Sequence, residues 1–139
     1  MIRYTEDLDD VGPERLTGFF EGWWTVPSPE AHLRILRGAE VAIIALDGAS
    51  DRVVGFVTAI GDGVISAYVP LLEVLPAYRG QGIGTELMRR VLERFRGRYM
   101  IDLACDEELV PFYERLGMTQ GRAMMLRDRT GLLTTKEER

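Results

Sequence analysis

The sequence predicts a single α/β domain built around one mixed sheet, and three observations carry that expectation. Two β-rich runs, EVAIIAL at 40–46 and RVVGFVTAI at 52–60, are joined by the turn-forming DGASD, which asks for an antiparallel hairpin. From residue 64 onward strand-like runs alternate with helical ones, the order that lets strands pair in parallel across a helical crossover. The 139 residues, 46% hydrophobic and 28% charged, also supply enough apolar surface for one core that needs no staples. The domain is expected to span residues 1–139, with a polar tail from about 127 that ends in TTKEER and frays.

The elements follow in order. Residues 11–22 (VGPERLTGFFEG) and 28–37 (SPEAHLRILR) read as helices, the second with Ser28 as N-cap and Pro29 at its first position. The hairpin comes next, and GDG at 61–63 then turns the chain into VISAYVPLLEVL, a long strand interrupted by Pro70. Proline has no N–H to give to a ladder, so this strand should bulge there. In TELMRRVLERF the apolar Leu87, Met88, Val91, Leu92 and Phe95 share one helical face. YMIDLAC reads as a buried strand, ELVPFYERLG as a short helix that Pro111 makes start late, and RAMMLR as a last strand. About four helices therefore flank a sheet that is antiparallel in its first half and parallel in its second.

Composition excludes several functions. Lys and Arg total 17 against 22 Asp and Glu, a formal charge of −5 with no basic cluster, which argues against nucleic-acid and membrane binding. One cysteine, Cys105, and one histidine, His32, are too few for a disulfide framework or a Cys/His zinc site, so no metal is expected. Without a histidine beside it, Cys105 reads as a small buried hydrophobe rather than a nucleophile. MIRYTEDLDD lacks the apolar stretch of a signal peptide, and no apolar run reaches membrane-spanning length, so the expected setting is reducing and cytoplasmic.

The chemistry concentrates in LEVLPAYRGQGIGTELM at 72–88. Glycines 80, 82 and 84 lie between a strand and a helix, where free backbone N–H groups and the helix dipole favour an anion such as phosphate. A plain tight turn would use the same glycines. A nucleotide-triphosphate loop would need GxxxxGK[ST], and the lysine is missing. A dinucleotide loop would need GxGxxG, whereas the spacing here is GxGxG, although Asp102 stands about 20 residues on, where a ribose-binding acid belongs.

The pattern R-x-x-G-x-G of Arg79, Gly82 and Gly84, preceded by L-x-V-x-P at Leu72, Val74 and Pro76, resembles the acyl-CoA pyrophosphate loop of the GNAT superfamily of N-acetyltransferases. PFYERLGM, about 30 residues downstream, is similar to that family's F-Y-x-x-x-G-[FM] helix ending, and the two motifs with the element order cover roughly residues 1–127. The resemblance implies acetyl-CoA as co-substrate. It implies that the strand before the loop splays from its neighbour, that Leu72 and Val74 offer backbone groups to pantetheine, and that the Val74 N–H lies near the thioester oxygen. Backbone N–H groups of Arg79, Gly80, Gln81, Gly82, Ile83 and Gly84 would hold the pyrophosphate, with the Arg79 side chain adding charge.

By the same resemblance Tyr113 is the general acid for the leaving thiol, and Glu73 on the splayed strand is the candidate base. Tyr68, Asp102, Glu108 or a water chain are alternatives. Asp106 stands where many members of the superfamily carry asparagine, so its expected ligand contact departs from the pattern, while its role as an N-cap is kept. The first two helices and their link would wall the acceptor pocket, bringing Trp23, Trp24 and His32 to it, and the paired indoles suit a cation or a flat ring. The implied activity is acetyl transfer to a primary amine of a small molecule or a peptide, in a monomer or a homodimer. The rival of another class is a noncatalytic acyl-CoA-binding or regulatory module on the same fold.

Overall fold

The computed structural model describes residues 1–131. Strands β1 (Ile2–Thr5), β2 (Val41–Asp47), β3 (Val53–Gly61), β4 (Ser66–Val74) and β5 (Met100–Asp102) form one sheet in that spatial order. Every neighbouring pair is antiparallel except β4 with β5, which is parallel. Helices α1 (Pro29–Gly38), α2 (Ile83–Arg94) and α3 (Val110–Glu114) flank it, with short 3-10 turns at Pro13–Arg15, Pro76–Tyr78 and Glu107–Leu109. The mixed α/β architecture is the one expected from the sequence.

The centre of the sheet is apolar on both sides, which is why β2 and β3 read as continuous hydrophobic runs rather than alternating ones. Val41 through Leu46 are all buried, as are Val53 through Ala59. α2 lies on one face through Ile83, Leu87, Met88 and Val91. It comes so close that a Cβ on Gly55 would stand 3.2 Å from both Ile83 Cγ2 and Leu87 Cδ1. α1 and the chain from Val11 to Trp24 cover the other face. Ser28 caps α1 as expected, its Oγ accepting from the Ala31 N–H at 3.1 Å.

Four expectations need correction. The helix expected at 11–22 is only the turn Pro13–Arg15, after which the chain passes through positive φ at Gly18, Phe20 and Gly22. Val11, Leu16, Phe19 and Phe20 are buried nonetheless, so their spacing imitated a helix while an irregular wrap does the covering. Three α-helices therefore occur among the described residues instead of about four. RAMMLR forms no strand; Met124 is 98% exposed and Leu126 96%. β1 had no sequence-based expectation, because four residues, three of them half-buried, paired from Ile2↔Asp47 to Thr5↔Ile44 give too short a pattern to read. Finally Cys105 is exposed, since β5 ends at Asp102, short of it. The expected tail falls partly at 132–139, outside the described residues.

Candidate functional site

β4 and β5 pair only over Ser66↔Met100, Ala67↔Ile101 and Tyr68↔Asp102. Beyond Tyr68 the two strands part, so the second half of β4 keeps β3 on one side and has an open edge on the other. The parting coincides with a bulge. Thr58 faces Leu71 and Ile60 faces Tyr68, so Val69 and Pro70 together oppose the single Ala59. This is where Pro70 was expected to disturb the ladder, and its missing N–H costs nothing at a bulge.

The bulge also changes which residues look outward. Before it the Met100 N–H donates to Ile65 O at 2.9 Å, so odd-numbered residues of this strand face β5. After it the Leu75 N–H donates to Val54 O at 2.8 Å, which turns the backbone of Leu71 and Glu73 toward β3. Leu72 and Val74 therefore present N–H and C=O groups to the open edge. Their side chains lie on the α2 face, with that of Val57 and where a Cβ on Gly55 would point, whereas Glu73, opposite Phe56, projects to the α1 face.

The glycine loop continues from this edge. Tyr78 donates its hydroxyl to Asp47 Oδ2 at 2.6 Å, fixing the start of the loop to the β2–β3 turn. Gly80 and Gly82 have φ of 78° and 84°, a region in which a side chain is strained, so glycine is required at both. Gly82 is the N-cap of α2 with no side-chain cap, leaving the first N–H groups of a twelve-residue helix without side-chain partners. Gly84 differs: its φ is ordinary, and a Cβ there would stand 3.7 Å from Phe112 Cζ and 3.8 Å from Val74 Cγ2. Arg79 folds back, its Nε donating to Val74 O at 3.0 Å, so one of its donors closes the end of β4 instead of reaching outward. The loop thus joins an open strand edge to an uncapped helix start, a surface of backbone donors suited to an anion.

α3 packs on this loop through Phe112, whose ring lies 4.9 Å from that of Tyr113 and edge-on to it. Tyr113 is half-buried and its hydroxyl makes no hydrogen bond among the described residues, so it does not cap a backbone group. Burial, with a smaller contribution from Cys105, pushes its phenol up to about 12. Asp106 sits at the N-cap of the turn Glu107–Leu109, and its carbonyl accepts from the Leu109 N–H at 3.0 Å. Its carboxylate makes no capping bond among the described residues, so the side-chain cap expected of Asp106 is not made. The late helix start expected from Pro111 is present, α3 following that turn.

On the α1 face, Glu73 Oε1 accepts the Phe20 N–H at 2.8 Å, across 53 residues of chain. Phe20 has φ 65°, and this bond holds it in that strained conformation within the bend that leads to Trp23 and Trp24. Desolvation raises the Glu73 carboxyl above its usual range, against the lowering effects of the Phe20 bond and Arg79. Trp23 packs on Phe20 with centroids 5.0 Å apart, and Trp24 is largely exposed. His32 does not line a pocket. It is 1% exposed, ringed by Phe19, Phe20 and Phe56 with centroids 4.3–5.2 Å away, and neither ring nitrogen has a hydrogen-bond partner among the described residues. The clamp between Glu73 and Phe20 was not anticipated; no short-range pattern marks a bond between residues so far apart. The Tyr78 anchor was missed too, although its place just before the glycines could have flagged it.

A separate depression lined by Tyr4, Thr5, Ile43, Arg90 and Arg94 lies at the β1–β2 side of the sheet. Its arginines are spent on neighbours, Arg94 on Glu6 and Arg90 on Glu86, both at 2.8 Å. No group of three or more His, Cys, Asp or Glu side chains suited to a metal occurs among the described residues. Nor is any described helix long and apolar enough to cross a membrane.

Comparison with known proteins agrees with this geometry. The model of the acetyltransferase (GNAT) family matches residues 8–118. The crystal structure of a candidate acetyltransferase from Deinococcus radiodurans R1 is 46% identical, with TM-score 0.90, covering 94% of this chain and 91% of that one. A GNAT family protein, SP0256 of Streptococcus pneumoniae TIGR4, is 32% identical with TM-score 0.68 and coverages of 92% and 98%. Among curated proteins, N-alpha-acetyltransferase 30 of Schizosaccharomyces pombe is 32% identical over 56% of this chain and 57% of its own length. The chloroplastic serotonin N-acetyltransferase 2 of Oryza sativa subsp. japonica is 33% identical over 60% and 44%. The chain thus spans about half the length of these curated relatives.

Proposed function

The chain belongs to the GNAT acetyltransferase family, and on that premise we propose that it transfers an acetyl group from acetyl-CoA directly to a primary amine of a small molecule or a peptide. The observation that carries the proposal is the open edge of β4, where Leu72 and Val74 turn their backbone groups outward and lead into an uncapped, glycine-shaped helix start. Pantetheine would lie along that edge as a further strand. The N–H groups from Arg79 to Gly84 would take the pyrophosphate, and the carboxylate of Asp106 would stand at the cleft wall.

In the reaction the amine nitrogen attacks the thioester carbonyl, the C–N bond forms, the C–S bond breaks, and the Val74 N–H steadies the oxygen as it gains charge. Glu73 takes the proton lost by nitrogen on Oε2, since Oε1 is held by Phe20. Its raised pKa makes it a stronger base than an exposed carboxylate. Tyr113 gives its proton to the departing sulfur. A phenol at about 12 keeps that proton at any neutral pH. Against a free thiol at ~8.5 the mismatch is ~3.5 units, about 5 kcal/mol.

Trp23 and Trp24 would contact the acceptor, and the curated relatives suggest which amines to try. The test is a thiol-release assay with acetyl-CoA over peptides with a free α-amine, serotonin and simple alkylamines. Amine-dependent release supports the proposal. Binding of acetyl-CoA with no release from any amine would assign the noncatalytic module instead, and failure to bind it would overturn both readings.

A further inference from the structure

The glycine loop turns its backbone toward the start of α2, yet the side chain of Arg79 runs the other way, back along β4. Its Nε donates to Val74 O at 3.0 Å, the last carbonyl of the strand that the bulge leaves facing the open edge. No other hydrogen bond or ion pair of this guanidinium occurs among the described residues, and the residue is exposed. One bond to a neutral carbonyl therefore holds a cation whose other donors are unspent. The first N–H groups of α2, which begins just beyond it at Ile83, have no side-chain cap either.

The same guanidinium acts on the other side of the strand. Glu73, the residue before Val74, is raised by desolvation, and two groups oppose that rise: the Phe20 N–H on Oε1 and the charge of Arg79. Nothing else charged faces it. Its register partner on β3 is Phe56, and His32 of α1, which packs on Phe56, is neutral near pH 7 because burial lowers its pKa to about 4. The Phe20 bond belongs to the core and cannot easily leave. Arg79 is held at the surface by a single bond, so of the two it is the one that a ligand can move.

We propose that Arg79 is a positioning residue that couples the two halves of the site: with the loop empty it closes the end of β4 at Val74 beside Glu73, and phosphate bound at the start of α2 draws it away. The inference rests on the reading of acetyl-CoA as donor. A guanidinium forks on a phosphate more strongly than it holds a neutral carbonyl, so the ligand binds the swung-out state better, which is what a shift of population requires. Two consequences follow at once. The outward carbonyl of Val74 is uncovered where the pantetheine arm would run, and Glu73 loses the neighbouring cation that favours its ionised form. The base thus gains strength only when the donor is in place, and an amine that enters an empty site meets a weaker one.

The test reads a proton, so it does not depend on acetyl transfer. The Glu73 carboxyl is titrated by carbon NMR in wild type and Arg79→Gln, each free and saturated with coenzyme A, its signal identified by its loss in Glu73→Gln. The backbone donors of the loop remain in Arg79→Gln, so it still binds, more weakly, and circular dichroism checks its fold. In the free chains the midpoint should lie higher in Arg79→Gln than in wild type, because the lowering charge is gone. Coenzyme A should raise both midpoints by excluding water and adding negative charge, and the gap between the two chains should shrink to about half or less. Arg79→Ala should repeat the pattern. Equal midpoints in the free chains, or a gap that coenzyme A leaves undiminished, would overturn the proposal alone. A wild-type chain that does not bind coenzyme A would overturn the donor reading, and this inference with it.

Discussion

The proposed donor and acceptor sides beside β4 are made in different ways. At the open edge of β4 the proposed donor side consists of backbone: the outward groups of Leu72 and Val74, two glycines at positive φ and the uncapped start of α2. On the α1 face the proposed acceptor side consists of side chains brought from far along the chain. Glu73 holds Phe20, Phe20 packs on Trp23, and His32 sits among three phenyl rings. A surface of backbone accepts one kind of ligand and tolerates most side-chain changes. A surface of side chains can be retuned residue by residue, which suits the half of a transferase that chooses the amine.

The contrast breaks most sharply at the donor loop. Gly82→Val forces a β-branched residue to φ 84° and displaces the N–H groups around it. Acetyl-CoA affinity, measured by calorimetry, should fall about 100-fold, roughly 3 kcal/mol. Gly84→Ala places its methyl at ordinary contact distance from Phe112 and Val74, so affinity should stay within about threefold. A Gly84→Ala loss as large as that of Gly82→Val would mean that close packing, rather than backbone conformation, makes the site.

Tyr113→Phe comes next. It removes the proposed proton donor and leaves the packing, so kcat should fall about 100-fold while the acetyl-CoA dissociation constant is unchanged. Turnover at the wild-type rate would remove Tyr113 from the chemistry.

Glu73 holds Phe20 and is the proposed base, and two substitutions separate these parts. Glu73→Gln keeps an acceptor for the Phe20 N–H and cannot take a proton. kcat/KM should drop about tenfold with little change in melting temperature, and the acidic limb of the pH profile should vanish. That limb should lie above the ordinary carboxylate range in the wild type, since the pKa is raised and activity is lost as pH falls through it. Glu73→Ala should add a stability loss of about 1–2 kcal/mol, as the strained Phe20 turn loses its partner. Equal activity in both variants and the wild type would leave Glu73 a clamp alone.

The same division explains what was legible in the sequence. Glycine spacing, the proline in β4 and the alternation of elements are local signals that act through backbone geometry, and they led to the sheet, the bulge and the loop before α2. The wrap from Val11 to Trp24 was misread as a helix because its burial depends on Phe19 and Phe20 meeting Phe56 and His32, contacts without a short-range period. RAMMLR has the composition of a strand but finds no partner among the described residues, so propensity alone placed it wrongly. Arg79 was expected to face phosphate, and the Val74 carbonyl at 3.0 Å takes one of its donors because the bulge turned that carbonyl outward.

His32 is the smallest test and the one farthest from the chemistry. Burial lowers its pKa from 6.5 to about 4, and both ring nitrogens lack hydrogen-bond partners among the described residues. Between those values the unfolded chain binds a proton that the folded chain refuses. The stability linked to His32 is therefore complete above pH 6.5 and is lost as pH falls toward 4, by up to about 3 kcal/mol. Scanning calorimetry should show the melting temperature falling about 10 °C across that window, beyond any fall due to the carboxylates. His32→Leu keeps an apolar group among Phe19, Phe20 and Phe56 and removes the proton site, so the fall should flatten by that amount. Acetyl-CoA affinity should not change, because the proposed donor side is built at the open edge of β4. An altered donor affinity would mean that the two sides are coupled through Phe56 and β3, and that the division between backbone-built and side-chain-built halves fails at the strand they share.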